Sequence, residues 1–153
     1  MLLGVNIKFE LLDTGYCLQN QQMVFPSKKS GKMAFHSLVA LLQHPAQGWV
    51  LFDTGYGKGF FDGTNAFPYR LYRYATPVHF KAEQEVSTQL ASKGIFPHDM
   101  KHIIMSHFHG DHTGGLWKFK ESPITVHLDA FHSITRKKGF AAVVRGYLPH
   151  AVL

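Results

Sequence analysis

The stretch SHFHGDHTGG, residues 106–115, places three histidines and an aspartate within six consecutive positions. His107 and His109 are two apart, and in extended chain such side chains point the same way. Gly110 lets the backbone turn. Asp111 and His112 then sit on that turn, and Thr113-Gly114-Gly115 behind them allows tight approach. Neutral imidazole and carboxylate are the donors that zinc and similar first-row ions take. The cluster therefore reads as a metal site with His107, His109, Asp111 and His112 as candidate ligands. A lone histidine is ordinarily a surface or hydrogen-bonded residue, but four ligand-type groups directly behind an apolar strand are poorly accounted for that way.

The elements that must position this cluster follow from periodicity. HIIMS, 102–106, is a short apolar strand running into it, and α/β folds commonly place sites at the C-terminal ends of strands. Upstream, NIKFELL, 6–12, alternates as a strand and ends at a turn, Asp13-Thr14-Gly15. FHSLVALLQH, 35–44, is nearly continuously apolar, as in a strand buried on both faces. Pro45-Ala46-Gln47-Gly48 is a turn signal and WVLFDTG, 49–55, returns as a strand, so 35–55 reads as a hairpin. The aromatic segment 56–77 reads as an ordered loop that walls a cleft. In 80–94, Ala82, Val86 and Leu90 recur every fourth residue and Gly94 supplies a stop, which predicts a helix. ITVHL, 124–128, is a strand opened by Pro123, and Asp129 caps a helix over 130–138 that Gly139 ends. Hairpins followed by β-helix-β-helix predict a mixed α/β layer protein.

Bulk properties narrow the class. The 153 residues suffice for one domain with a core, and 45% hydrophobic with 17% charged residues is globular rather than disordered. No apolar run approaches the roughly 20 residues of a membrane span, and MLLGVNIKFELL has neither basic n-region nor small-residue cleavage site. Cys17 is the lone cysteine, so no internal disulfide forms; a cytoplasmic protein is the expectation. The net charge of +6 comes from scattered lysines, the densest clusters being Lys28–Lys29 and Arg136–Lys137–Lys138. Neither carries the interleaved aromatics of a nucleic-acid platform.

HFHGDH matches the HxHxDH signature, and the chain resembles the metallo-β-lactamase superfamily, most closely the N-acyl-homoserine lactonase branch. The hairpin ending in Asp53-Thr54-Gly55, the helix at 80–94, the HIIMS strand, the Gly-Gly after the motif and an LPH at 148–150 stand in the expected order. The resemblance implies the N-terminal half of an αββα sandwich, a mixed β-sheet with flanking helices, and residues 1–153 as one incomplete domain. It implies zinc, two ions in the complete family site, with one or none held here. His107 and His109 would bind the first ion, and Asp111 and His112 the second. Asp53 would lie buried beneath the site, fixing a ligand's orientation. The implied reaction is hydroxide attack on a lactone or ester carbonyl, Asp111 orienting the nucleophile and passing a proton to the leaving oxygen.

The family needs a third histidine, a bridging aspartate and a last histidine further downstream, and the chain ends at Leu153 before them. His127, mid-strand, and His132, on a helix, read as exposed or hydrogen-bonded residues, and His150 as frayed. A truncated or partial sequence is the preferred account of the gap, ahead of completion by a second polypeptide or a remnant without activity. A missing second half would leave an apolar face of the 35–44 strand open.

Glyoxalase II, ribonuclease Z and sulfatases share the signature, so a thioesterase or nuclease stands as an alternative, as does an inactive metal-binding fragment. The aromatics Phe60, Phe61, Phe67, Tyr69, Tyr72 and Tyr74 suit an apolar acyl group or simple core packing better than phosphate. The expected partner is a small-molecule ester or lactone, without membrane or nucleic acid, and a homodimer stays open. DTG also occurs twice, at 13–15 and 53–55, as in aspartic proteases. The copies lie too close for one per lobe, and the histidines would be left idle.

Overall fold

A computed structural model describes residues 4–26 and 29–151. Met1–Leu3 of the segment read for a signal, Lys28 of the lysine pair, and Val152–Leu153 at the chain end lie outside the described residues. One six-stranded sheet organises the rest: β1 (Lys8–Asn20), β2 (Lys32–His44), β3 (Gly48–Phe52), β4 (Val78–His79), β5 (Met100–Met105) and β6 (Ile124–Val126), in spatial order β4-β1-β2-β3-β5-β6. β4, β1, β2 and β3 pair antiparallel, while β3–β5 and β5–β6 are parallel. The sheet is therefore mixed, with helices α1 (Lys58–Gly63), α2 (Arg70–Ala75), α3 (Val86–Ala91) and α4 (Gly110–Thr113) in its connections and α5 (Leu128–Thr135) and α6 (Gly139–Val144) after β6.

Register decides which side chains are covered. Leu12 faces Val39, and Leu41, Leu51 and Ile103 lie side by side across β2, β3 and β5. All five are buried and pack with Val86 and Leu90 of α3, the core beneath the site. Each such side chain contributes about 1.5–3 kcal/mol when fully buried. The alternate positions Leu11, Ala40, Phe52 and Ile104 also align across strands. This second face is open: Phe9, Leu11, Leu38 and Phe52 are each at least 41% exposed. The run 35–44 is thus not buried on both faces. Its uniform apolarity conceals an alternation in which Ser37, Val39 and Leu41 face the core.

Several boundaries depart from the sequence reading. Asp13-Thr14-Gly15 is an irregularity inside the long strand β1, not its end. Segment 56–77 is not a loop; it contains α1 and α2, and Phe60 and Tyr72 pack edge to face at 5.4 Å in a second core with Tyr56 and Leu148. The helix expected over 80–94 is interrupted. A 3-10 turn, Ala82–Gln84, precedes α3 because Glu85 is extended and spends its carboxylate on the Lys58 N–H. β6 stops at Val126, since His127 caps α5 by accepting the Asp129 N–H, and Gly139 opens α6 rather than merely ending its predecessor. His150 is not frayed but packs on the Tyr69 ring at 4.9 Å. Among the described residues no helix is long and apolar enough to cross a membrane.

Candidate metal centre

β5 ends at Met105, so the motif begins one residue beyond the strand. The chain turns at His109, whose carbonyl accepts the His112 and Thr113 N–H groups, and the single-turn helix α4 carries Asp111 and His112. This folding brings the three imidazoles together. Ring centroids are 4.5 Å apart for His107–His109 and 4.0 Å for His107–His112, and Asp111 Oδ2 lies 3.4 Å from His112 Nε2.

Asp53 lies beneath them, 3% exposed, at the end of β3. Its Oδ1 accepts the Ser106 N–H at 2.8 Å, and its Oδ2 accepts both the Ser106 hydroxyl and His112 Nδ1–H at 2.7 Å. Because the Ser106 proton goes to Asp53, the 2.9 Å contact between Ser106 Oγ and His107 Nδ1 is donated by the imidazole. One carboxylate thereby sets the ring orientation of two histidines, and in their neutral forms each keeps Nε2 as a lone-pair donor. His109 is held separately, by the Arg145 backbone carbonyl and an isolated bridge to Tyr147. Gly110 N–H, next to it, is shared between the Gly146 carbonyl and the Tyr72 hydroxyl.

These contacts fix the protonation states of the metal-free site. Burial works against charge on His112, but hydrogen bonds to Asp111 and Asp53 outweigh it and carry its pKa up to about 9. Burial and the neighbouring imidazoles push His107 below the usual histidine range, and burial does the same to His109. Burial opposes ionisation of Asp111, yet the His112 hydrogen bond leaves its carboxyl below the usual value. At neutral pH the cluster is a His112 cation beside an Asp111 anion, flanked by two neutral rings.

A first-row cation fits this donor set: two imidazoles oriented through Nδ1, whose Nε2 atoms are donors once the rings are neutral, a third anchored by backbone, and an ionised carboxylate. The donors are gathered but not closed around one point, since among the described residues no group of three or more is already spaced to hold an ion. His112 Nε2 instead faces Asp111. His127, His132 and His150 stay outside: His127 caps α5, His132 lies exposed on it, and His150 lies against Tyr69. Asp13 pairs with His36 at 2.6 Å at the surface, while Asp53 is buried beneath the motif, so the two DTG aspartates form no shared-proton pair.

The sequence reading missed Ser106, which passes Asp53's hold on to His107, and Thr54, whose N–H and hydroxyl both reach the His112 carbonyl at 2.9 and 2.7 Å. The DTG motif was the available signal for Thr54; nothing in a lone serine marks Ser106. Gly115 is required by close approach, because a Cβ there would stand 2.4 Å from the Thr54 carbonyl oxygen. A cavity of about 770 Å³ opens over His109 and Asp111, walled by Met23, Leu71, Tyr72, Val143 and Val144. A second cavity, of about 650 Å³ beside Trp117 and Lys120, is lined by none of the four candidate ligands.

Comparison with known proteins bears on the fold and the family. The chain is 26% identical over 119 residues to an N-acyl homoserine lactonase of Bacillus cereus, covering 78% of this chain and 48% of that protein. It is 24% identical over 143 residues to the corresponding lactonase of Bacillus thuringiensis, covering 94% and 56%. The chain thus spans about half the length of these curated relatives. An N-acyl homoserine lactone hydrolase, solved with the product N-hexanoyl-L-homoserine at its catalytic metal centre, superposes with a TM-score of 0.74 at 22% identity, covering 92% of this chain and 56% of that one. The profile of the Metallo-beta-lactamase superfamily matches residues 34–128, more than half of the 153 and including the whole His107–His112 motif, and the chain belongs to that superfamily.

Proposed function

We propose that this chain carries the ligand-bearing part of a zinc-dependent hydrolase that opens a lactone or related ester, with N-acyl-homoserine lactones as the substrate class. The observation that carries the reading is the gathering of His107, His109 and His112 beside Asp111, with His109 and Asp111 opening onto a largely apolar cavity. The lactonase relatives favour a lactone over the thioesters and phosphodiesters that share the signature.

His107, His109, Asp111 and His112 would hold the zinc, which when bound lowers the pKa of water and polarises a carbonyl oxygen. The chain's own residues do the rest. Asp53, bonded to His112 and to Ser106, would hold two of these rings through their Nδ1 sides and leave their Nε2 atoms for the ion. Asp111 orients the attacking water and returns a proton to the leaving ring oxygen. Met23, Leu71, Val143 and Val144 offer apolar surface to an acyl chain. Ring opening adds one water across the acyl C–O bond and leaves a carboxylic acid that ionises at neutral pH.

Turnover is therefore read as proton release from N-hexanoyl homoserine lactone in weak buffer, using zinc-loaded protein. The expected result is zinc-dependent acidification abolished by a chelator. A protein that takes up zinc yet opens no lactone, while cleaving a thioester or a phosphodiester, would reassign the substrate class.

A further inference from the structure

We infer that the first DTG copy, idle in the proposed chemistry, positions Asp111 through two buried hydroxyls, Thr14 and Ser37; this rests on reading Asp111 as a working carboxylate of the site. Helix α4 is a single turn, so its carbonyls find few partners within it. Gly115 N–H, the group that would close the ladder onto the Asp111 carbonyl, bonds the Gly55 carbonyl instead. Ser37 Oγ donates to the Asp111 carbonyl at 2.6 Å in its place. Thr14 Oγ1 lies 2.9 Å from both Ser37 Oγ and the Ser37 carbonyl, donates its single proton there, and itself accepts the Tyr56 N–H at 3.2 Å. Thr14 is wholly buried and Ser37 nearly so, on a strand face otherwise occupied by Val39 and Leu41. An apolar residue at 37 would strand a carbonyl, which is why a hydroxyl interrupts an apolar strand.

The second DTG acts one residue further along, where Thr54 grips the His112 carbonyl. The two copies touch: Gly55 has a φ of +68°, and a Cβ on it would fall 2.1 Å from Thr14 Oγ1. Successive carbonyls of α4 are thus bonded by the Ser37 hydroxyl, which Thr14 of the first DTG holds, and by the Thr54 hydroxyl of the second. The rotation of the turn, and with it the aim of Asp111 and His112, follows from both. Thr14 and Ser37 are positioning residues and touch no reacting atom.

The test compares Thr14→Val, which keeps shape and removes the hydroxyl, with Thr14→Ser, which keeps the hydroxyl, and with Ser37→Ala. Cobalt(II) uptake is followed by its visible absorption, and amide hydrogen exchange is measured across residues 109–115 and across β2–β3. Thr14→Val and Ser37→Ala should weaken cobalt binding about 10-fold and speed exchange at 109–115 but not in β2–β3, while Thr14→Ser stays near wild type. Wild-type uptake and exchange in both hydroxyl-deleted variants would overturn the inference, as would a Thr14→Ser variant as impaired as Thr14→Val. If the wild-type chain binds no cobalt, the metal reading fails on its own. Exchange then decides the relay: local acceleration in Thr14→Val and Ser37→Ala but not in Thr14→Ser upholds it, and a uniform or absent change overturns it. Should Ser37→Ala fail to fold, the Thr14 pair carries the comparison.

Discussion

Asp53 and His112 are 59 positions apart in sequence, and their Oδ2 and Nδ1 atoms are 2.7 Å apart. That contact joins the end of β3 to α4, and the Ser106 hydroxyl on the same carboxylate oxygen extends its hold to His107. A buried carboxylate bound this way orders two imidazoles in advance of any ion. Asp53→Asn keeps the size but loses the charge and presents an N–H₂ group where acceptors are required. Zinc affinity, measured by competition with a chromophoric chelator, should fall about 10- to 100-fold. Unchanged affinity would separate Asp53 from the metal site.

Asp111 is assigned the proton transfer at the reacting carbonyl. Asp111→Asn should lower lactone opening by about 10²- to 10⁴-fold, read as proton release under saturating zinc. Retained activity would reject the assignment.

The metal-free protein has a definite pH response. The His112 pKa is raised from 6.5 to about 9, so its contribution to stability is complete below about 6.5 and is lost as pH rises through about 9. Asp111 is depressed below 3.8, so its contribution is present above that value and is lost as pH falls through the depressed one. Thermal unfolding followed by circular dichroism in the presence of a chelator should give a Tm that declines from pH 7 to pH 10. Zinc must displace the His112 proton, so uptake at pH 7 should release protons and tighten as pH rises toward 9. A metal-free Tm that rises over the same interval would contradict the ion pairing at His112.

Gly115 stands against the Thr54 carbonyl with no room for a methyl group. Gly115→Ala should destabilise by about 1–3 kcal/mol, seen as a lower denaturation midpoint in urea. It should also loosen the motif, because Thr54, whose carbonyl the methyl would meet, also bonds the His112 carbonyl. A midpoint equal to that of the wild type would show that the backbone yields freely there.

Much of this was legible from residue types. HFHGDH announced its donors because imidazole and carboxylate rarely crowd together without a purpose, whereas Asp53 entered only through the family resemblance. The β2–β3 hairpin and β5 followed from apolar runs and turn residues, and Val86 and Leu90 faced the core as their spacing implied. What stayed hidden depends on long-range contact. Glu85 breaks the predicted helix because its carboxylate has a partner 27 residues away, which local periodicity cannot register. The stretch 35–44 looked buried on both faces because β2 is apolar on its open side as well, at Leu38. Ser37 and Thr14 appeared as ordinary small polar residues, since their meaning lies in the Asp111 carbonyl 74 positions beyond Ser37.

The central claim is that His107, His109, Asp111 and His112 take up a cation together. Anomalous diffraction at the zinc absorption edge, from crystals of the zinc-loaded protein, tests it most directly. The account predicts a peak among these four side chains, with imidazole nitrogens at about 2.0–2.1 Å from it and Asp53 still bonded to His112 Nδ1. A map in which zinc lies elsewhere, with His112 Nε2 still turned to Asp111 and no peak between the rings, would contradict it.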